Sequence, residues 1–286
     1  MKDTDNLNIN QEENILGIVG WPLTHSYSPY IHNFWLNEYS LKYRYKKFPI
    51  EPNKLIENFK ILKKKNFIGL NVTVPYKEKL LPYMDKLDES AKKIGAINII
   101  FRDSKGSTIG SNSDSYGFIK NLYNYYPNID IKNLQCAIFG SGGAARAALY
   151  SVIKEGAKEV LIFSRNYNKA SILASDFKNK CKVLNWNKYY NLMKDIQLLI
   201  NATPMGMPNI PLVNLELKKL PKNAIVYDLV YSKHDTPLII LAKQDGYSTI
   251  GGLGMLLHQA VPSFYKWFDK KPTITDTLTD YIVEKL

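Results

Sequence analysis

Apolar runs and segments of helical periodicity alternate along the first quarter of the chain. Strand-like runs occur at ILGIVG (15–20), YRYKKF (43–48) and IGLNVTV (68–74), and helical periodicity occurs at SPYIHNFWLNEY (28–39) and NKLIENFKILKKK (53–65). Strands that alternate with helices build βαβ units. The pattern therefore predicts an α/β domain with a largely parallel sheet.

A second series of the same kind begins at QCAIFGSGG and continues through EVLIFSR, DIQLLINATP and AIVYDLV, with helical segments between the runs. We therefore expect two α/β units, one after the other. The seam is expected near residues 111–118, and the chain is expected to return to the first unit near 248–254. Two final helices are expected at 253–268 and 275–285, where they can pack back on the first domain.

This pattern predicts a definite domain organisation. The first domain comprises residues 1–114 and is completed by the C-terminal helices at 252–286, and the second domain comprises residues 115–251. Two lobes of this kind form a cleft between them, which is the usual place for a ligand.

Length and composition are those of an ordinary globular protein. The chain has 286 residues, of which 45% are hydrophobic and 22% are charged, so each domain has enough chain to bury a core. The polar start, MKDTDNLNINQEEN, lacks the apolar stretch of a signal peptide, and no run reaches the length of a membrane span. We therefore expect a cytoplasmic protein that is not bound to a membrane.

The cysteines and histidines do not predict a metal site. Cys136 and Cys181 are not in a C-x-x-C spacing, and the four histidines are scattered along the chain. His25 and His32 are better explained as packed or exposed polar residues than as ligands. Chemistry without a metal is expected.

The net charge of +12 raises the question of a nucleic-acid partner. The excess is almost all lysine, with only four arginines, and the lysines are spread along the chain. Base and phosphate readers are commonly arginines, because the guanidinium binds with two parallel hydrogen bonds. We therefore expect a solvated basic surface and no specific nucleic-acid partner.

A run of small residues follows the apolar stretch CAIF and precedes the helical segment AARAALYSVIKEGA. The run comprises Gly140, Ser141, Gly142, Gly143, Ala144 and Ala145. This is a G-x-G-x-x-A pattern between a strand and a helix, where small residues let the backbone approach a pyrophosphate at the helix N-terminus. A flexible turn would explain the glycines alone, but the strand-turn-helix setting favours a dinucleotide site.

The end of the next strand indicates which dinucleotide binds. An acidic residue about 20 positions after the glycines would bind the ribose hydroxyl of NAD, but this sequence has Ser164, Arg165 and Lys169 there. Two cations and a hydroxyl suit a 2'-phosphate, so NADP(H) is the expected cofactor. A surface arginine at a helix start would oppose the helix dipole unless an anion bound there.

The segment HSYSPYIHN places Ser28 and Pro29 at the start of a predicted helix. Ser28 is expected to cap that helix and also to donate to a bound anion, and Ser26 could add a second donor.

Nine motifs follow one another along the chain: HSYSPYIHN, GLNVTVPYK, IGAIN, GSNSD, GSGGAAR, SRNYNKA, NATPMGM, DLVYSKHDTPL and GGLGMLLHQA. In their order and spacing, from about residue 15 to about 265, the sequence resembles the shikimate dehydrogenases. The resemblance implies an N-terminal substrate-binding catalytic domain and a Rossmann-type NADP-binding domain. It implies reversible, NADP-linked reduction of 3-dehydroshikimate to shikimate, a step towards chorismate and the aromatic amino acids.

The resemblance also implies roles for individual residues. Ser26 and Ser28 would bind the substrate carboxylate, and Tyr231 would help to hold that side of the substrate. The substrate hydroxyls and ring would meet Asn71, Thr73, Asn98, Asp114 and Gln259. Besides the glycine loop and the segment at 164–169, the cofactor would meet Thr203, Met205, Gly252 and Met255.

Lys77 and Asp114 would form the catalytic pair. A lysine just beyond a strand is commonly a solvated flank. Reduction of a ketone by hydride, however, requires an acid where negative charge develops on oxygen, and no metal is expected to supply it. Lys77 would donate that proton, and Asp114 would orient the ammonium group and help to fix its protonation state.

Three positions depart from the family pattern, and two other functions stay open. Ser113 replaces a more usual Thr, Lys233 a common Pro, and Gly251 a frequent Asp. A quinate/shikimate dehydrogenase with relaxed use of substrate or cofactor is one alternative. A noncatalytic NADP-binding module is the other. A monomer or a homodimer is expected.

Overall fold

The computed structural model describes residues 14–65, 67–177, 180–207, 209–213 and 215–286. Apart from Asn14, the polar start of the chain lies outside the described residues. The described chain divides into two compact units, one that runs up to Ser113 and includes Ala260–Lys285, and the other of Asp114–Gln259 with Leu286.

The strands and helices follow one another in an α/β order. The strands are β1 Ile15–Gly20, β2 Lys46–Pro49, β3 Phe67–Val72, β4 Lys86–Leu87, β5 Ile99–Arg102, β6 Thr108–Ser111, β7 Gln135–Phe139, β8 Glu159–Ser164, β9 Cys181–Asn185, β10 Leu198–Asn201, β11 Ile225–Asp228 and β12 Ser248–Ile250. The helices are α1 Ser28–Glu38, α2 Leu55–Lys64, α3 Glu89–Ile94, α4 Asp114–Tyr125, α5 Gly143–Lys154, α6 Tyr167–Ser175, α7 Tyr189–Leu192, α8 Pro237–Gln244, α9 Leu253–Phe268 and α10 Asp276–Lys285.

The first unit contains a mixed sheet whose strand order is β2-β1-β3-β5-β6-β4. β1 pairs in parallel with β2 and β3, and β4 pairs in parallel with β6. β5 is antiparallel to both β3 and β6. The five residues from 103 to 107 are too few for a crossover, so β5 and β6 form a hairpin. β1 is buried along its whole length, as expected for a central strand.

Sequence periodicity located the elements of this unit well, with one informative difference. The run 15–20 is β1, and the helical segments became α1, α2, α9 and α10 within about two residues of their predicted ends. The run 43–48 forms a strand only from Lys46, because the Asn33 side chain bonds to the backbone N–H (2.8 Å) and the carbonyl (3.0 Å) of Tyr45.

The second unit contains a wholly parallel sheet with the strand order β12-β11-β10-β7-β8-β9. From β7 the chain runs outwards through β8 and β9, and then returns to the other side of β7 with β10. The order therefore reverses between β7 and β10. In a doubly wound fold, ligands bind at the carboxyl ends of the strands at this point. The predicted α/β class and the Rossmann-type second unit are confirmed.

Candidate active site

The two serines of HSYSP lie at the start of α1 in the first unit. α1 begins at Ser28, and the residue before it, Tyr27, holds the N-cap position without a side-chain capping bond. The prediction that Ser28 caps the helix was therefore wrong. Ser28 is buried, and its hydroxyl hydrogen-bonds to the Tyr45 hydroxyl, so tertiary packing takes the group away from the helix backbone. Ser26 is half-buried.

Asn71 lies near the end of β3 and is fully engaged by its neighbours. Its Oδ1 accepts a hydrogen bond from the Tyr45 hydroxyl (2.7 Å), and its Nδ2 donates to the Asn98 carbonyl (2.8 Å) and to Ser263 Oγ (2.9 Å). Both amide hydrogens are thereby used within the unit. Any further contact of Asn71 with a ligand would use the remaining lone pair of Oδ1.

Thr73 and Lys77 follow β3 and are both half-buried. The Thr73 amide donates to the Val19 carbonyl (2.9 Å), and the Lys77 carbonyl accepts from the Ile97 amide (2.8 Å). The backbone that carries Lys77 is thus held against the segment leading into β5. This placement differs from that of a solvated strand flank.

Asn98 is buried just before β5 and is held by Ser113. Asn98 Nδ2 donates to Ser113 Oγ (3.1 Å), and Asn98 Oδ1 accepts from the Ser113 amide (2.9 Å). The serine hydroxyl at this departure from the family pattern therefore has a defined structural contact. Ser28, Asn71 and Asn98 thus belong to one hydrogen-bonded cluster of the first unit, in which Tyr45 joins Ser28 to Asn71 and the Asn98 carbonyl accepts from Asn71.

The glycine loop of the second unit has the geometry that its sequence predicts. It joins β7 to α5, with Gly142 at the N-cap of α5 and no side-chain capping bond there. A Cβ added at Gly142 would meet nothing within 4 Å, so there is open space beside the start of α5. Gly140 has φ of +112°, a conformation that favours glycine.

This loop suits a pyrophosphate group, because the uncapped end of α5 offers N–H donors and the positive end of the helix dipole. Ser141 bonds through its hydroxyl to Ser164 Oγ (3.1 Å), which links the loop to the end of β8. Gly143 and Ala144 form the first turn of α5.

The predicted 2'-phosphate residues lie where β8 meets α6. Arg165 and Lys169 are exposed, and the first turn of α6 carries no acidic residue. Asn166 caps α6 by accepting from the Lys169 amide (2.9 Å). Ser164 is buried, and its hydroxyl also meets the backbone of Asn166. Ser164 thus holds the corner between β8 and α6 together, and the two cations lie on its surface.

The loop after β10 lies against the glycine loop. A Cβ at Gly140 would come within 2.9 Å of the Ala202 carbonyl oxygen and 3.1 Å of Thr203 Cγ2. Thr203 Oγ1 accepts from the Met205 amide (3.2 Å), and Met205 is buried. The segment NATPMGM therefore forms one wall of the predicted nucleotide site.

The remaining predicted residues of the second unit lie near its other strand ends and helix starts. Gly252 packs so closely on the Leu229 carbonyl that a Cβ would be 2.3 Å from that oxygen. Met255 is buried in the first turn of α9. Tyr231 is half-buried in the loop after β11.

Gln259 lies on α9, and its Nε2 donates to the Leu256 carbonyl (2.9 Å). Asp114 is buried as the first residue of α4, where the helix dipole favours a carboxylate.

Three family models match successive parts of the chain. Residues 18–100 match the shikimate dehydrogenase substrate binding domain, residues 126–243 match shikimate / quinate 5-dehydrogenase, and residues 252–274 match the shikimate 5'-dehydrogenase C-terminal domain.

Two relatives named shikimate dehydrogenase (NADP(+)) are similar over nearly their whole length. The one from Dinoroseobacter shibae is 39% identical, covering 92% of this chain and 95% of the relative, and the one from Ruegeria sp. is 35% identical, covering 94% and 98%. The chain belongs to the shikimate dehydrogenase family.

A solved structure of a shikimate dehydrogenase in complex with NADP+ superimposes with a TM-score of 0.85 at 31% identity, covering 98% of both chains. The family's fold therefore extends over nearly the whole chain.

The structure also contains polar contacts that the sequence motifs alone did not reveal. Tyr45 connects Ser28 with Asn71, and Asp228 at the end of β11 accepts a hydrogen bond from Asn201 at the end of β10 (2.8 Å). Asn201 and Asp228 end two adjacent apolar strands, and polar residues at buried strand ends are the signal that could have pointed to them.

Histidine, cysteine and carboxylate side chains do not gather into a candidate metal site within the described residues. His32 is buried and stacks on Tyr45 with ring centroids 4.4 Å apart, whereas His25 is exposed. Among the described helices, none has the length and apolar character needed to cross a membrane.

Proposed function

We propose that this protein catalyses the reversible, NADPH-dependent reduction of 3-dehydroshikimate to shikimate in aromatic amino acid biosynthesis. The observation that carries the proposal is the combination of both halves of the required chemistry in one chain. The first unit carries the serine, amide and lysine residues expected for the substrate, and the second carries a glycine loop with two exposed cations beside it.

The proposed cofactor roles follow from the second unit. The backbone N–H groups at the start of α5 would hold the pyrophosphate, and Arg165 with Lys169 would bind the 2'-phosphate. Thr203, Met205, Gly252 and Met255 would shape the rest of the site. Bound NADPH would supply the hydride.

The proposed substrate roles follow mainly from the first unit. Ser26 and Ser28 would donate to the substrate carboxylate, with Tyr231 on the same side. The hydroxyls and ring would meet Thr73 and Gln259 directly, together with the buried amides of Asn71 and Asn98.

Lys77 would donate a proton to the oxygen that gains negative charge as the ketone is reduced, and in the reverse direction it would take that proton back. Asp114 would orient the ammonium group. This division of roles keeps the positive charge at the atom where it stabilises the transition state.

The direct test is reduction of the cofactor by the purified protein. We expect steady turnover with shikimate and NADP+ and much weaker turnover with NAD+. Equal or better turnover with quinate, or with NAD+, would instead favour a quinate/shikimate dehydrogenase. NADP+ binding without turnover of either substrate would identify a noncatalytic module.

We also propose a cytoplasmic monomer or homodimer without a specific nucleic-acid partner. Light scattering of the purified protein would give its mass. Retention on a DNA column that disappears at moderate salt and shows no sequence preference would fit the dispersed lysines.

A further inference from the structure

The second unit contains a buried carboxylate, that of Asp228, which takes no part in the proposed chemistry. Asp228 ends β11 and has no exposed surface. It accepts hydrogen bonds from Thr236 Oγ1 (2.5 Å), Asn201 Nδ2 (2.8 Å) and the Val230 amide (3.1 Å). All three donors are neutral groups, so the charge of the carboxylate is stabilised by hydrogen bonds and not by a paired cation.

Asn201 connects Asp228 to the loop after β10 through hydrogen bonds. Its Nδ2 donates to Asp228, and its Oδ1 accepts from the Thr203 amide (3.1 Å) and from Thr203 Oγ1 (2.7 Å). The same Nδ2 also donates to the Met205 carbonyl (3.2 Å). Asn201 is fully buried, and all of its polar hydrogens and its oxygen are used.

The orientation of the Asn201 amide depends on Asp228. A carboxylate can only accept, so it selects the rotamer in which Nδ2 faces Asp228 and Oδ1 faces Thr203. The opposite orientation would place the amide hydrogens against the Thr203 N–H and leave buried groups without partners. Asp228, together with the Met205 carbonyl, therefore holds the Asn201 amide in the orientation in which Oδ1 accepts from Thr203.

The position of this loop bears on the nucleotide site, because Ala202 and Thr203 lie directly against Gly140. A displacement of Thr203 would therefore change the contact between this loop and the glycine turn. Burial raises the pKa of Asp228 to about 6, so near neutral pH the fold holds this carboxylate ionised at an energetic cost. Such a cost is expected where a buried charge serves positioning and adds little stability.

We propose that Asp228 is a positioning residue for NADP(H) that acts through Asn201 on Thr203 and Met205 without touching the cofactor itself. The inference rests on the proposed binding of NADP(H) by the second unit. Replacement of Asp228 should therefore weaken cofactor binding more than it lowers the stability of the fold.

The test compares Asp228→Asn with Asp88→Asn in the full-length protein. Asp88 caps α3 in the other unit and accepts from the Ala91 amide (3.0 Å) and the Ser90 hydroxyl, so the same atoms change in a hydrogen-bonded aspartate without a proposed role. The Kd for NADPH is measured by fluorescence and calorimetry, and the melting temperature is measured without ligand.

We expect Asp228→Asn to weaken NADPH binding about tenfold. Its melting temperature should stay within a few degrees of the parent, its KM for shikimate within about twofold, and the NADPH affinity of Asp88→Asn unchanged. Asn201→Ala should weaken NADPH binding by a similar factor. The double variant should bind little worse than either single variant, because the two residues act as one unit.

An unchanged NADPH affinity in a folded Asp228→Asn protein would overturn the inference, as would independent losses that multiply in the double variant. If Asp228→Asn does not fold, the Asn201→Ala variant decides by the same criteria. If neither folds, the network serves stability and the inference is wrong. A parent protein that fails to bind NADPH would overturn the proposed function first, so the two failures are distinguishable.

Discussion

At the scale of single residues, hydrogen-bond capacity decides which groups are available to a ligand. Asn71 uses both amide hydrogens inside the first unit, and Ser164 bonds to its own corner. Arg165 and Lys169, in contrast, project from the surface. The sequence motifs include residues of both kinds. Only the contacts in the structure show which side chains are used within the fold and which lie at the surface.

Lys77→Ala should lower kcat for shikimate oxidation by about a hundredfold or more, because it removes the proposed proton carrier. Substrate affinity should change much less, since the interaction acts mainly in the transition state. Steady-state kinetics at saturating shikimate and NADP+ measures this, with NADP+ affinity and circular dichroism as controls. A variant that turns over normally would remove Lys77 from the reaction.

The two serines of HSYSP should both contribute to substrate binding, and Ser28 should also contribute to stability, because its buried hydroxyl bonds to Tyr45. Ser26→Ala and Ser28→Ala should each raise the KM for shikimate. The expected loss of binding free energy is about 1 kcal/mol or more for each lost donor to the carboxylate. Since Ser28 does not cap α1, its replacement should not produce the additional loss expected for a helix cap. Urea unfolding and KM values measured together check this, and a KM unchanged in both variants would place the carboxylate elsewhere.

At the scale of elements, the candidate groups of the second unit gather where strands end and helices begin. The glycine loop, the β8–α6 corner and the loop after β10 all lie at carboxyl ends of parallel strands, next to the reversal of strand order. Parallel strands bring these ends to one edge of a sheet. Segments far apart in sequence are thereby adjacent in this unit.

Arg165→Ala tests the corner between β8 and α6. Loss of a charge-assisted contact to the 2'-phosphate should weaken NADP+ binding by about 1.5 to 3 kcal/mol and leave NAD+ binding almost unchanged. Arg44→Ala, which removes an exposed arginine of the first unit, is the matched control. Calorimetric titration with both cofactors distinguishes the outcomes, and equal losses for both would assign Arg165 to the fold.

At the scale of the whole molecule, two buried titratable groups act in opposite directions as pH falls. Burial lowers the pKa of His32 to about 3, so the ring stays neutral in the folded protein. In the unfolded chain the ring takes up a proton as pH falls, and this protonation destabilises the fold. The contribution of the neutral ring is present above about pH 6.5 and is lost as pH falls. The raised pKa of Asp228 has the reverse effect, and its destabilisation disappears as the carboxylate becomes protonated below about pH 6.

Variants of these two groups should therefore diverge on acidification. Between pH 7 and pH 4.5, His32→Phe should gain about 2.5 kcal/mol in free energy of unfolding relative to the parent, because the parent loses the contribution of the neutral ring. Asp228→Asn should lose about 2 kcal/mol relative to the parent over the same range. Urea unfolding at both pH values measures these differences in free energy of unfolding. Differences from the parent that do not change with pH would contradict the two pKa shifts.

The sequence by itself determined the α/β class, the positions of most strands and helices, and the glycine loop with its cations. These features depend on local periodicity and on residue types with strong conformational preferences, so neighbouring residues suffice to predict them. The antiparallel pairing of β5 with β6 also follows from a local cause, the short connection between them, although periodicity alone did not reveal it.

Tertiary structure alone decided the partners of the buried polar groups. Tyr45 and Asn71 are 26 residues apart, and Asn201 and Asp228 are 27 apart, yet each pair shares one hydrogen bond. The hydroxyl of Ser28 turns to Tyr45 for the same reason, because a buried polar group must find a partner wherever packing brings one within reach. Such pairings depend on how strands are ordered in a sheet, which no local pattern of hydrophobic and polar residues specifies.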